Sequence, residues 1–122
     1  MQRCLVVDES DVTRKVVRVI LTSLGYVIAE AKTGEAALAM CEDEMPDAIL
    51  INWDLSDMSG FDFLIAFRHR FDGVKTHIVY ATTENDPVDI SRALRAGATE
   101  FLLLPFERAD IEAKFAQKLS AA

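Results

Sequence analysis

The sequence predicts an α/β fold, a doubly wound five-stranded parallel sheet of (βα)5 type, and three observations predict it. Short apolar runs alternate with longer segments of helical period, the pattern of a parallel sheet covered by helices on both faces. Three of the apolar runs are nearly continuous aliphatics, which suits strands buried on both sides. Five strand–helix units fit the 122 residues, a length that forms one good core and not two.

In chain order, CLVV (4–7) reads as the first strand. Val12, Val16, Val17, Ile20, Leu21 and Leu24 then recur at helical spacing, and Gly25 closes that helix where a left-handed cap is wanted. YVIAEA (26–31) is the second strand, and Thr33 caps a second helix over 34–43. AILI (48–51) is the third strand, with Gly60 ahead of a helix whose Phe63, Leu64 and Phe67 share one face. HIVYA (77–81) is the fourth, followed by Asp86 and Pro87 as N-cap and first-turn proline of a helix ending at Gly97. EFLLL (100–104) is the fifth, and Ile111, Phe115 and Leu119 make the buried stripe of the last helix.

Composition narrows the function. Half the residues are hydrophobic and about a quarter charged, as in a globular protein. No apolar run reaches the roughly 20 residues of a membrane span, and the N-terminus lacks a signal peptide's features, so a cytoplasmic location is expected. One domain over 1–122 is expected, with no linker or output domain. The net charge of −7 argues against nucleic acid, whose phosphates need a basic face, and directs attention to protein partners. Cys4 and Cys41 lack metal or redox spacing and read as buried reduced thiols; His69 and His77 read as surface or satisfied histidines.

In a doubly wound sheet, ligands gather at the carboxyl ends of the strands. Those ends carry Asp8 and Glu9, then Asn52, then Thr82 and Thr83, then Leu104 and Pro105. Adjacent carboxylates can hold a hard cation such as Mg²⁺ through oxygen ligands and waters. Neither GxxxxGK[ST] nor GxGxxG is present, so a nucleotide-dependent enzyme lacks its phosphate cradle.

VVDES, PDAILINWDLSDMSG, YATTEND and AGATEFLLLPF stand in order at characteristic spacing, and with them the chain resembles a CheY-like response-regulator receiver domain from end to end. The TTEND stretch, Trp53 and the LPFERADIEAK ending are most similar to chemotaxis-type members. The resemblance implies the flavodoxin/CheY-like fold, a cis bond before Pro105, a phosphoacceptor Asp at the end of the third strand, and a Lys before that Pro. Here Asn52 stands at the acceptor position and Leu104 at the lysine position. An amide oxygen is a weak, uncharged nucleophile, and leucine can neither ion-pair nor hydrogen-bond to a phosphoryl group.

The family's site, three carboxylates and one lysine, is formally −2, and Asp8 with Glu9 alone is also −2, so the two replacements fit one another. The expectation is a pseudo-receiver: not an enzyme, not phosphorylated, acting in two-component signalling by binding. Thr82 matches the family's switch hydroxyl and Phe101 its mobile aromatic; without a phosphoryl group, one locked state is expected. Asp8, Glu9 and Asp54 are either a residual Mg²⁺ site or solvated loop carboxylates, and Asn52 can lend its carbonyl oxygen. Ser56, where the family usually has proline, suggests a looser loop around Asp54. The alternative function is a working receiver with Mg²⁺ and Asp54 as acceptor. Either version docks on a histidine kinase, phosphotransfer or motor protein through the fourth helix, fifth strand and fifth helix, with Arg92, Arg95, Glu100, Phe106, Arg108 and Lys114 as candidate contacts and few apolar residues exposed.

Overall fold

Apolar runs and helical segments fold in strict alternation: β1 (Arg3–Val7), α1 (Asp11–Ser23), β2 (Val27–Ala31), α2 (Gly34–Asp43), β3 (Ala48–Asn52), α3 (Gly60–Arg70), β4 (His77–Thr82), α4 (Pro87–Arg95), β5 (Glu100–Leu103) and α5 (Arg108–Ser120). The computed structural model describes residues 2–83 and 85–120, the last five by their helical backbone alone. All four strand pairings are parallel, in the order β2-β1-β3-β4-β5. The order reverses between β1 and β3, and a crevice opens at their carboxyl ends.

Side-chain alternation along the central strands divides the interior in two. Leu5, Val7, Ile49 and Ile51 point to the side where Leu38, Phe63, Leu64 and Phe67 pack. Cys4, Val6, Ala48 and Leu50 point to the other side, against Val17, Ile20, Leu21, Ile111 and Phe115. The parity of β3 thus puts Asn52, two residues after Leu50, on the α1/α5 side.

The predicted caps are present. Thr33 accepts from Ala36 N at 3.1 Å, Asp86 accepts from Val88 N at 2.9 Å with Pro87 opening α4, and Gly25 and Gly97 take positive φ after α1 and α4. Both cysteines are free and buried; burial pushes the Cys41 thiol up to about 11, and that of Cys4 up as well.

Elsewhere the structure departs from the sequence reading. The cap of α3 is Ser59, accepting from Asp62 N at 3.0 Å, and Gly60 is the first helical residue. Val12 and Val16 are exposed, because the inward face of α1 is Arg14, Val17, Ile20 and Leu21. The strands differ from the predicted runs by a residue at one end: β2 begins at Val27, β4 includes Thr82, and β5 stops at Leu103. Leu119 lies outside the residues whose side chains are described.

Candidate functional site

The acidic pair is fixed by the turn into α1. Asp8 N donates to Ala31 O on β2 at 3.1 Å, the Asp8 carboxylate accepts from Ser10 N at 2.9 Å, and Ser10 caps α1 by accepting from Thr13 N at 3.1 Å. Beneath this turn Arg14 points inward and is 6% exposed. Its guanidinium donates to the Asp8 carbonyl, the Asp11 carboxylate and, at 2.9 Å, Glu30 on β2. Arg18 donates to the other oxygen of Glu30 at 2.7 Å. Burial pushes the Asp8 carboxyl up, opposed by the Ser10 amide and the Arg14 charge. Glu30 also loses solvation, yet Arg18 and Arg14 hold it below the usual carboxylate range. Sequence reasoning missed Arg14: its position at i−3 from Val17 on the inward face was the available signal.

Asn52 ends β3 in register with Ala81. Its Nδ2 donates to Asp54 O at 3.2 Å, while its Oδ1 is buried and has no described hydrogen-bond partner. The chain then turns back: Asp54 bridges Ser59 in antiparallel sense, and Leu55 N donates to Met58 O at 3.2 Å. Strand periodicity therefore ends at Asn52, and the Asp54 side chain is exposed. The return needs glycine at 60, whose Cβ would lie 2.6 Å from Asn52 O. Asp57, which the sequence did not single out, accepts from Gly34 N at 3.0 Å and Glu35 N at 2.9 Å at the start of α2. Its burial cost is outweighed by those amides, and its carboxyl is held down.

On the far wall, Leu104 N donates to Thr82 O at 2.9 Å and the Leu104 side chain packs partly on the α1/α5 core. The Leu104–Pro105 bond is cis, as the resemblance implied. Asp8, Glu9, Asn52, Asp54 and Leu104 all line one open cleft of about 420 Å³, with Ser10, Thr13, Trp53, Pro105 and Phe106. Thr82 is buried and lies on a neighbouring groove instead, with Trp53, Phe61, Tyr80 and Arg92. Phe101 does not line the acidic cleft and lies under Lys114, whose Nζ is 5.2 Å from the ring centroid.

Magnesium would need oxygens converging on one point in near-octahedral order. Among the described residues, no three acidic, histidine or cysteine side chains are grouped closely enough to hold a metal ion. Asp8, Glu9 and Asp54 line one cleft without forming a three-carboxylate cage, so a Mg²⁺ ion there would rest on one or two of these carboxylates and on waters.

The candidate docking residues are partly engaged within the chain. Arg92 lies 4.4 Å over the Phe61 ring, Arg108 reaches Glu112 at 3.1 Å and Ser23 at 2.7 Å, and Glu100 sits between His77 at 3.5 Å and Lys114 at 3.7 Å. Arg95 is exposed, and Phe106 lines the acidic cleft. His77 has a further partner in Lys114 O at 3.0 Å. The face also exposes Val88, Leu94 and Leu103, more apolar surface than the sequence suggested. Among the described residues no helix is long and apolar enough to cross a membrane.

The response regulator receiver domain family matches residues 4–116. The chain is 33% identical over 109 residues to two-component response regulator ORR7 of Oryza sativa subsp. japonica, covering 88% of this chain and 51% of that one. It is 31% identical over 106 residues to transcriptional regulatory protein KdpE of Mycobacterium tuberculosis, covering 87% of this chain and 46% of that one. It thus spans about half the length of these relatives. Among solved structures, chemotaxis response regulator CheY4 of Vibrio cholerae superposes with a TM-score of 0.84 at 31% identity over 98% of both chains. The receiver domain of a Pseudomonas aeruginosa sensor histidine kinase, with a magnesium ion coordinated in its active-site cleft, gives 0.84 at 27% identity, covering 99% of this chain and 98% of that one. Agreement of family match, relatives and fold over nearly the whole length leaves one conclusion: the chain belongs to the response regulator receiver domains of two-component signalling.

Proposed function

We propose that this receiver works as a binding module and does not accept a phosphoryl group. Asn52 takes the acceptor position and Leu104 the lysine position, so the cleft has neither the charged nucleophile nor the cation of phosphoryl transfer. The observation that carries the reading is the state of Asn52: its amide is tied to the Asp54 carbonyl, and the wall across from it is apolar Leu104. Signalling then rests on docking to a protein partner in the cytoplasm. The face over α4, β5 and α5, with its arginines and exposed Val88, Leu94 and Leu103, is the proposed contact. Similarity to the Vibrio cholerae chemotaxis regulator supports a chemotaxis or motility pathway.

A second reading is favoured by one observation, that Asp54 lines the same cleft as Asp8 and Glu9. In it Asp54 is the acceptor and the chain is a working receiver. Intact mass after incubation with acetyl phosphate and Mg²⁺ separates the two. Unchanged mass is expected; an adduct mapping to Asp54 would replace the binding reading with the second.

A further inference from the structure

We propose that His77 is a proton-sensitive element of the docking face: its protonation draws Glu100 away from Lys114 and uncovers the Phe101 ring. The inference rests on the binding-module reading for its place in signalling and names what regulates the face over α4, β5 and α5. Four side chains from three elements carry it. Glu100 on β5 is shared, with Oε2 3.5 Å from His77 Nε2 and Oε1 3.7 Å from Lys114 Nζ. The same Nζ lies 5.2 Å from the centroid of the Phe101 ring, which is half-buried on β5. His77 opens β4, its side chain is 13% exposed, and it meets the buried Phe115 ring edge-on at 5.9 Å, so the imidazole is held in place.

The hydrogen bonds fix where the protons sit. His77 Nε2 is 3.0 Å from Lys114 O, a carbonyl that only accepts, so Nε2 carries the hydrogen of the neutral ring. The Glu100 carboxylate beside it also only accepts, which excludes a lone pair at Nε2. A second proton therefore goes to Nδ1, which has no hydrogen-bond partner among the described residues. Imidazole is the side chain whose charge ordinarily changes between pH 5 and 8.

Proton uptake changes the balance around Glu100. With a neutral ring, Glu100 has Lys114 as its charged partner. With an imidazolium, two cations compete for one carboxylate, and the packed ring needs little further ordering to hold it. Lys114, a point charge on a flexible four-carbon stem, is the partner that moves, and Phe101 loses its cover. Among the described residues no second carboxylate pairs with the ring. Arg68 and Lys75 line a hollow with His77, and Arg68 donates to the carbonyls of Gly97, Val74 and Thr76. Asp47, whose carbonyl accepts from His77 N, turns its carboxylate to Arg3 N at 2.8 Å. Tyr26, edge-on to Phe115, donates to Phe115 O at 3.2 Å and stays protonated, burial having pushed its hydroxyl up to about 12.

The test is an NMR titration of the full chain between pH 8 and pH 5, following the His77 ring, the Phe101 ring and amide, and the Lys114 side chain. The Phe101 and Lys114 signals are expected to move along one curve that shares the midpoint of His77 itself. In His77→Gln, whose amide can still donate to Lys114 O, the response should vanish while the spectrum stays that of a folded chain. In His69→Gln, which removes the other histidine of the sequence, it should persist. Should His77→Gln unfold, Glu100→Gln, at a half-buried position, must uncouple Phe101 from the His77 titration. Phe101 signals that stay fixed as His77 titrates, signals that move equally in His77→Gln, or a His77 that does not titrate over this range overturn the proposal. No partner takes part in this experiment, so its failure leaves the binding-module reading standing. A phosphoryl adduct in the mass experiment would instead overturn that reading, and the two failures are distinct.

Discussion

Nδ2 of Asn52 and the carbonyl oxygen of Asp54 lie 3.2 Å apart, so the amide that ends β3 ties down the loop that follows it. An aspartate cannot donate this bond. Asn52→Asp also places a further carboxylate beside Asp8 and Glu9 with no lysine to meet it. The substitution should cost about 1–2 kcal/mol, from one lost hydrogen bond and like-charge repulsion. Urea unfolding in metal-free buffer at pH 7 measures it. A midpoint equal to that of the unsubstituted chain would mean that neither the bond nor the repulsion matters.

Leu104 is partly buried against the α1/α5 core on the wall across the cleft. Leu104→Lys should cost about 1–2 kcal/mol, because a semi-buried apolar group is replaced by a charge. Combined with Asn52→Asp, the lysine gains a carboxylate partner, and the double variant should lose less than the sum of the single losses. Four unfolding curves give the coupling energy. Simple additivity would mean that the two positions changed independently.

Local rules made most of the fold legible. Thr33, Asp86–Pro87, Gly25 and Gly97 each mark a helix end by backbone chemistry that needs no tertiary context. The strands were read from aliphatic runs because both faces of the sheet are covered. The site was only half legible. Strand ends located Asp8, Asn52 and Leu104, but Asp54 could not be placed, since its direction depends on the return of the chain to Ser59 and Gly60. Arg14 and Asp57 were hidden because their partners, Glu30 and the first amides of α2, are distant in sequence. Thr82 and Phe101 were placed by resemblance, and neither lines the acidic cleft.

Arg14 is the main anchor of the acidic turn. It joins the Asp8 carbonyl to Glu30 across two elements, and its side chain is almost fully buried. Arg14→Met keeps the stem and removes the charge, leaving Glu30 with Arg18 alone. The expected loss is about 2–3 kcal/mol, below the 3–5 kcal/mol of fully buried pairs because Glu30 retains one partner and some solvent. Glu30→Gln should cost less, since Arg14 still holds Asp11 and the Asp8 carbonyl. Urea midpoints of both variants check the ranking; a larger loss for Glu30→Gln would assign the anchor to the carboxylate.

Asp57 supplies a pH-dependent tie between the β3–α3 loop and the N-terminus of α2. The desolvation that would raise its carboxyl is outweighed by amide donors, Glu35 and Gly34 among them, and its folded value lies below the unfolded one. A depressed acid stabilises the fold fully above the unfolded value of about 3.9 and loses that contribution as pH falls through the folded value. Asp57→Asn should therefore lower stability at pH 7 by about 0.5 kcal/mol, at the low end of charge–dipole interactions because the carboxylate is largely exposed to solvent screening. The deficit should shrink as the pH is taken below about 4, where the wild-type carboxylate becomes protonated. Urea midpoints of both proteins between pH 7 and pH 3 give the difference directly. A deficit that stays constant over that range would assign the tie to the shape of the side chain and not to its charge.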